Sequence, residues 1–186
     1  VDNSEDMLSS AMEKREQSGH EILYLLQDMR EFELYGTVAA VVSICDSMNY
    51  LTEYGDLVHT LSLVNNYLDP GGVFIFDLNT VHKYQDVIGD STIAESREDC
   101  CFIWENVFDE ESRINEYALT LFIEGAGGLY RRYEETHYQR AYMMEEVAQA
   151  VKEAGMELEA MYDACTRKAP GEDSERVYVI AREKGK

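Results

Sequence analysis

Residues 68–77 read Leu-Asp-Pro-Gly-Gly-Val-Phe-Ile-Phe-Asp, and this stretch decides the fold class of the chain. Pro70 cannot continue a helix, and the two glycines that follow it allow the backbone to turn. The next residues, Val73 to Phe76, are apolar at every position, as in a strand that helices cover on both faces. Asp77 ends that run. The stretch therefore predicts an open α/β sheet with chemistry at its strand ends.

The segment before this turn predicts a helix and, before that, another buried strand. Between Glu53 and Leu68, apolar residues recur at steps of four, three and four, which places them on one helical face. The apolar run from Val38 to Cys45 ends at Asp46. Two buried strands joined by a helix form a right-handed crossover unit, whose ligands bind beyond the carboxyl ends of the strands. Those ends are residues 45–50 and 77–80.

The rest of the chain predicts three further regions. Ser4 is a good N-cap for a helix that runs to about Gln17, and a short strand is expected over residues 22–26. From about residue 94, aromatic and charged residues mix in three runs between turn segments, which is typical of an antiparallel meander. A helix over 143–154 and two antiparallel strands, 156–164 and 177–181, then close the α/β part.

The amino-acid composition limits the kinds of partner that the chain can bind. With 37 acidic and 16 basic residues, the net charge is −21, so we expect no nucleic-acid partner. The four cysteines show no C-x-x-C spacing and the four histidines are scattered, so neither a metal site nor a disulfide framework is expected. No apolar stretch reaches membrane-spanning length and no signal peptide opens the chain. We therefore expect a cytoplasmic protein with no membrane partner.

Four segments, in their order along the chain, resemble the successive motifs of the Rossmann-like S-adenosylmethionine-dependent methyltransferases. They are residues 1–8, 27–29, 45–51 and 68–77. The likeness is strongest to small bacterial members with a β-rich lid, in which a stretch like residues 133–140 recurs. The resemblance implies a Rossmann-like core made of residues 1–92 and 141–186, whose parallel sheet ends in an antiparallel hairpin. It also implies that residues 93–140 form an antiparallel lid that covers the substrate.

The chain departs from the family at its beginning. The family opens with a strand and a Gly-rich loop that approaches the methionine part of the cofactor, and this chain has no such segment. It opens on Val1, at what resembles the end of the family's second strand. We therefore expect a fragment of a longer polypeptide, or a chain whose first portion is supplied separately. An N-terminal segment or a second chain would then complete the sheet.

The resemblance implies that S-adenosylmethionine is the cofactor and assigns its adenosine part to four residues. The carboxylate of Asp2 would accept hydrogen bonds from both ribose hydroxyls, unless it is only a frayed terminal charge. Met7 would pack against the adenine or belong to the core. Asp28 would accept from the adenine amino group or cap a turn, and the backbone amide of Met29 would face a ring nitrogen.

The end of the family's fourth strand would meet the other part of the cofactor. Cys45 and Asp46 match the residues whose backbone contacts the sulfonium and amino-acid groups, although Cys45 could also be a small buried hydrophobe. Asn49 and Tyr50 lie just beyond, near the transferred methyl group, where they could touch either ligand. Alternatively, Tyr50 only begins the next helix.

The lid carries the candidate residues for the methyl acceptor. His137 shares a strand face with Tyr133, Glu135 and Gln139, and it could deprotonate an amine, hydroxyl or acid acceptor, or serve a structural role. Arg140 could hold a substrate carboxylate or pair with a nearby glutamate. Trp104 could line an aromatic pocket or pack in the core.

These residues predict a methyltransferase that acts on a small molecule by in-line displacement, for which alignment of donor and acceptor matters more than any universal catalytic side chain. A binding or regulatory module that keeps the fold without cofactor binding is the main alternative, because the Gly-rich loop is absent. A nicotinamide-dependent oxidoreductase fits less well, because of the terminal antiparallel hairpin and the Gln-Asp-Met element at residues 27–29.

Overall fold

The computed structural model describes residues 1–186 as two four-stranded sheets and three α-helices. None of the helices is long and apolar enough to cross a membrane. The elements are α1 (Glu5–Ser18), β1 (Val38–Ser43), α2 (Tyr54–Tyr67), β2 (Leu68–Asn79), β3 (Thr92–Ser96), β4 (Cys100–Asp109), β5 (Ile114–Glu124), β6 (Tyr130–Arg140), α3 (Met144–Glu153), β7 (Met156–Asp163) and β8 (Arg176–Glu183). Short 3₁₀ turns lie at Ser47–Tyr50 and Ala126–Gly128, and a π-helical turn spans Lys83–Ile88.

The core sheet has the strand order β1-β2-β8-β7. Strands β1 and β2 are parallel, whereas β8 pairs antiparallel with both β2 and β7. This arrangement confirms the predicted α/β sheet with a terminal antiparallel hairpin. Helices α2 and α3 bury their apolar faces against it, and each fully buried Leu, Val or Phe side chain contributes about 1.5–3 kcal/mol. The fully buried residues include Leu57, Leu61, Phe76, Val147 and Val151.

The second sheet, which we call the lid, has the order β3-β4-β5-β6 and is antiparallel throughout. It confirms the predicted meander and adds β3, a short and fully exposed strand. Tyr117 lies opposite His137, and Leu119 lies opposite Glu135. Because side chains alternate along a strand, these four residues share one face of the lid.

Helix α1 begins and ends where the sequence predicts. The Ser4 hydroxyl accepts a hydrogen bond from the Met7 amide at 3.2 Å, and Gly19 closes the helix with a φ of 70°. The predicted strand over residues 22–26 is not formed. The residues there form only one parallel bridge, between Asp2 and Leu26, and no longer ladder extends from it.

The Pro-Gly-Gly segment is part of a strand rather than a free turn. Strand β2 starts at Leu68, directly after α2, and its pairing with β1 shifts from Val38↔Leu68 to Ala40↔Val73. The extra residues of β2 bulge out at this shift. Gly71 adopts a φ of 74° there, which explains the need for glycine.

Candidate functional site

An ion-pair cluster joins the carboxyl ends of β1 and β2. Arg176, the first residue of β8, donates to Asp77 at 2.6 Å and to Asp46 at 2.7 Å. The Asp77 side chain is only 3% exposed, so its charge requires this partner. Burial lowers the pKa of Arg176, but hydrogen bonding to Asp77 and the charges of both aspartates outweigh it and raise that pKa. The guanidinium therefore stays charged and fixes both strand ends.

The turn after β1 has an unusual backbone that this cluster stabilises. Cys45 and Asp46 have φ values of 63° and 52°, in the left-handed region that glycine normally occupies. The Asp46 amide donates to the Asp77 carboxylate at 2.8 Å, which holds the turn in place. Backbone of this kind costs about 1–3 kcal/mol per residue and occurs often at functional sites.

The root of the lid is tied to the same turn. The Gln139 amide donates to Asp46 at 2.7 Å and accepts from the Tyr84 hydroxyl at 2.9 Å. Both Gln139 and Tyr84 are buried. The lid strand β6 is thus fixed against the end of β1, which brings His137 to the edge of the core sheet.

Four side chains meet at this edge in a hydrogen-bonded series, which we call the lid-corner chain. The Tyr50 hydroxyl lies 2.6 Å from the Tyr117 hydroxyl and 3.2 Å from Nδ1 of His137. Nε2 of His137 lies 3.2 Å from a Glu135 oxygen. The Tyr117 ring also stacks on the His137 ring, with centroids 4.6 Å apart. The partners assign the tautomer: Nε2–H donates to Glu135, so Nδ1 accepts from Tyr50.

The electrostatics of the two tyrosines fit this assignment. Burial raises the pKa of both hydroxyls. Because the single hydroxyl proton of Tyr50 is donated to Nδ1 of His137, the Tyr117 hydroxyl is the donor in the hydrogen bond that the two tyrosines share. Both hydroxyls are therefore protonated at neutral pH, and the donor order runs from Tyr117 to Tyr50 to His137.

A cavity of about 750 Å³ lies between β1 and the Asp2↔Leu26 bridge and reaches the lid-corner chain. Val41 to Ile44 form one wall, and Asp2 and Met29 belong to the other. Tyr50 and His137 line the end below the lid. The cavity is large enough for a nucleoside-sized ligand.

Of the predicted cofactor residues, Asp2 and Met29 line this cavity. One oxygen of the Asp2 carboxylate accepts from the Ser4 amide at 2.8 Å, and the other has no partner in the chain. Met7 is 63% exposed on α1 and does not line the cavity. Asp28 binds Arg30 at 2.6 Å, and hydrogen bonding to Arg30 lowers the pKa of Asp28.

The remaining predicted residues lie at the edge of the site. Cys45 is exposed beside the cavity wall, and Asn49 is buried with its amide bonded to the backbone of Asn79 and Arg140. The Arg140 side chain donates to the Thr52 carbonyl at 3.0 Å and lies over the Tyr142 ring. Trp104 meets Tyr117 edge to face, and its indole N–H is buried without a partner.

Sequence reasoning missed Arg176 and Tyr84. Arg176 is 130 residues from Asp46, and no local pattern marks an arginine that begins a strand as the partner of two distant aspartates. Tyr84 follows β2 in a π-helical turn, which often accompanies functional sites but has no sequence signature. Alternation along β6 did place Gln139 on the His137 face, so its inward direction could be read from the sequence.

Comparisons with known proteins show what this chain is similar to. A scan against protein-family models finds no match. The protein YqeM of Bacillus subtilis (strain 168), which carries the name of a methyltransferase, is 37% identical over 185 residues, which span 98% of this chain and 73% of YqeM. A protein of Geobacillus sp. (strain WCH70) with a methyltransferase name is 32% identical over 98% of this chain and 74% of its own length.

Solved structures give the same result. An S-adenosylmethionine-dependent methyltransferase from Clostridium acetobutylicum superposes with a TM-score of 0.92 at 27% identity, covering 98% of this chain and 73% of that one. The CcbJ methyltransferase from Streptomyces caelestis shares the fold, with a TM-score of 0.81 at 16% identity over 98% of this chain and 73% of its own.

Proposed function

The chain belongs to the S-adenosylmethionine-dependent methyltransferases, and from that premise we propose that it transfers a methyl group to a small-molecule acceptor below the lid. The observation that carries the proposal is the lid-corner chain, which brings Tyr50, Tyr117, His137 and Glu135 to one end of the cavity. The acceptor would bind between the lid-corner chain and the turn after β1. Residues 93–140 would then act as the substrate-covering lid, on a core made of residues 1–92 and 141–186.

The cavity fits the cofactor in size and in the groups that line it. When bound, S-adenosylmethionine supplies a methyl group that its sulfonium already activates, so the acceptor's lone pair displaces a neutral thioether. The free oxygen of Asp2 suits the ribose hydroxyls, and Met29 suits the adenine. The strained backbone of Cys45 and Asp46 would face the amino-acid part. Met7 and Asp28 would complete the adenine site after their side chains reorient.

The lid-corner chain would handle the acceptor's proton. The acceptor passes a proton to the Tyr50 oxygen while Tyr50 passes its own proton to Nδ1 of His137. Glu135 then stabilises the imidazolium through Nε2–H. Tyr50 and His137 both line the cavity, and in this relay Tyr50 meets the acceptor while His137 holds the charge. Alignment of the methyl donor with the acceptor, as distinct from this proton transfer, contributes about 7–11 kcal/mol in favourable cases.

Three further residues would shape the acceptor site. Trp104 would form an aromatic wall beside Tyr117. Asn49 and Arg140 would act through the backbone that they hold, because both side chains already bond to main-chain oxygens.

We also propose that a further strand, from a preceding segment or a second chain, pairs with the free edge of β1. Strand β1 pairs only with β2, and Val42 and Ile44 are 61% and 54% exposed on the cavity side. Unpaired ladder edges with apolar side chains normally gain a partner. Such a strand would separate part of the cavity from solvent and form the floor of the cofactor site.

A non-catalytic module that keeps the fold is the second candidate. Two observations favour it: Arg30 occupies the Asp28 carboxylate, and Met7 faces away from the cavity. In that case the cavity would bind no cofactor, and the lid-corner chain would only join the lid to the core.

Calorimetric titration of S-adenosylmethionine and S-adenosylhomocysteine tests the proposal. The titrations use this chain and the same chain extended at its N-terminus by the preceding coding sequence. We expect Asp2→Asn, which keeps the Ser4 contact, to weaken binding about ten- to a hundredfold, because it removes a charged acceptor. Asp6→Asn on the exposed first turn of α1 is the matched control. Absence of binding to both forms would reject the enzyme and favour the non-catalytic module.

A further inference from the structure

One face of the lid carries an apolar series that starts at the methyl-transfer corner and runs outward. We call it the lid stripe. Its members form direct cross-strand pairs, Phe102 with Leu121, Trp104 with Leu119, and Leu121 with Tyr133. The rows of Tyr117 and Leu121 are four residues apart on β5, which corresponds to about 13 Å along the strand.

The opposite face of the same strands has a different character. Its direct apolar pairs are those of the small Ala94 with Ile103 and of Cys101 with Phe122, and charged side chains lie around them. The charged residues of this face include Glu105, Glu116, Arg132 and Glu134, which are all exposed. The lid stripe is therefore a property of one face and not of the whole sheet.

Trp104 packs against the buried cluster around Tyr84, but nothing in the chain covers the rest of the lid stripe. None of its five residues is buried, and Tyr133 is 42% exposed. Nearer the root of the lid, the same face is closed by the buried Asn106, Asn115 and Gln139. The uncovered part thus begins where the cavity ends, beside Tyr117 and His137.

The charge at this inner end is negative. Glu135 lies in the row of Leu119 and is 59% exposed. The nearest cations are occupied: Arg176 binds two aspartates, and Arg140 bonds to Thr52 and faces Glu146 at 3.6 Å. The cations that do belong to this face, Arg97 and Arg131, lie at its outer end, beyond Tyr133.

We infer that the acceptor is an amine with an apolar body, whose nitrogen lies at the Tyr50 hydroxyl, within the electrostatic field of Glu135, and whose body lies along the lid stripe. The inference rests on the proposed function and names its substrate class. An ammonium group is attracted by the negative charge of Glu135. The ammonium first loses one proton through Tyr50 to His137. Its freed lone pair then forms the new N–C bond as the methyl–sulfur bond breaks, and the thioether keeps that electron pair.

The lid itself supplies a reporter for the test. Trp104 is the only tryptophan of the chain and belongs to the stripe, so its fluorescence reports occupancy without any cofactor. The probes are phenylbutylamine, phenylbutanol and phenylbutyrate, which share one apolar body and differ in the head group. We expect the amine to bind about tenfold more tightly than the carboxylate, with the alcohol between them.

Substitutions distinguish binding of the probe's head group from binding of its apolar body. Leu121→Asn should weaken all three probes about tenfold, whereas Ile103→Asn, on the opposite face of the adjacent strand, should weaken none. Glu135→Gln should remove the preference for the amine over the alcohol. Thermal unfolding of each variant identifies any that fails to fold.

The outcomes are distinct from those of the cofactor titration. Equal binding of amine and carboxylate, or no change in Trp104 emission, overturns the inference even where S-adenosylmethionine binds. Sedimentation that shows a dimer lost in Leu121→Asn but not in Ile103→Asn also overturns it, because a second copy would then cover the stripe. The expected order of probe affinities supports the amine site whether or not the cofactor binds. Only the titration with S-adenosylmethionine tests the proposed function.

Discussion

Arg176 is the residue on which the strand ends depend. It compensates Asp77, which is almost fully buried, and Asp46, which carries left-handed backbone. We expect Arg176→Met to lower the free energy of unfolding by about 2–4 kcal/mol, because it leaves a buried carboxylate unpaired. The lower end of that range reflects the guanidinium, which is 32% exposed. Chemical denaturation measures the loss.

The control for this variant is another arginine of the same strand. Arg182 pairs with Glu159 at the surface, where each of the two side chains is more than a third exposed to solvent. Arg182→Met should therefore lower the stability much less than Arg176→Met does. An equal loss in both variants would mean that the ion-pair cluster has no special role in stability.

Tyr50 is the link between the cavity and His137. If it relays the acceptor's proton, Tyr50→Phe should lower the methyl-transfer rate about ten- to a hundredfold while cofactor affinity stays the same. Tyr138→Phe, on the opposite face of β6, should leave the rate unchanged. Burial raises the pKa of Tyr50, so the wild-type rate should show no loss through the neutral range from ionisation of this hydroxyl. A rate equal to that of wild type in Tyr50→Phe would exclude the relay.

At the scale of elements, the bulge of β2 depends on a glycine without a side chain. A Cβ at Gly72 would lie 2.9 Å from the Asp69 carbonyl oxygen and 3.1 Å from that of Ala39, both of them backbone atoms. We expect Gly72→Ala to lower the free energy of unfolding by about 1–3 kcal/mol. Gly36→Ala meets no atom within 4 Å and should change it by less than about 1 kcal/mol. Urea unfolding of both variants is the measurement.

At the scale of the whole molecule, the shorter of two ion pairs at Glu146 joins the lid to a helix of the core. Arg113, between β4 and β5, donates to both oxygens of Glu146 in α3, at 2.7 and 2.6 Å. Burial raises the pKa of Glu146, but hydrogen bonding to Arg113 and to the Met143 amide outweighs it, so the net shift is downward. The carboxylate therefore stabilises the folded state fully above its unfolded pKa and loses this effect as the pH falls through its folded pKa.

Glu146→Gln should accordingly be less stable than wild type by about 1–3 kcal/mol at neutral pH. The difference should shrink as the solution is acidified below the ordinary range of glutamate. Thermal unfolding across this pH range tests the sign, with Glu172→Gln on an exposed loop as the control. A difference that grows on acidification would contradict the assignment.

The sequence predicts most of the core because the signals there are local. The largely apolar run from Val38 correctly predicts strand β1, although none of the residues of β1 is buried in the way that the run predicts, and the Ser4 and Gly19 caps specify α1 without outside help. The same holds for the alternation along β6, which places His137 and Glu135 on one face. Strand β3 could not be read in this way, because all five of its residues are exposed and show no periodicity.

The site was harder to predict because its contacts span long distances along the chain. Tyr50 and His137 are 87 residues apart, and Asp46 and Arg176 are 130 apart. Only folding brings them together. By contrast, the pairing of Asp28 with Arg30 joins residues two positions apart, and charge pattern alone could have indicated it.

The lid-corner chain is shared unequally between the two sheets. The segment from Thr92 to Arg140 contains Tyr117, Glu135 and His137, whereas Tyr50 follows β1 of the core. If the proposed relay operates, a lid transplanted from a relative would bring its own acceptor surface but would have to meet a tyrosine that it does not carry. Chimeras of this kind should work only between proteins whose cores offer that hydroxyl. The transplanted lid would then change the substrate range and the proton acceptor at the same time.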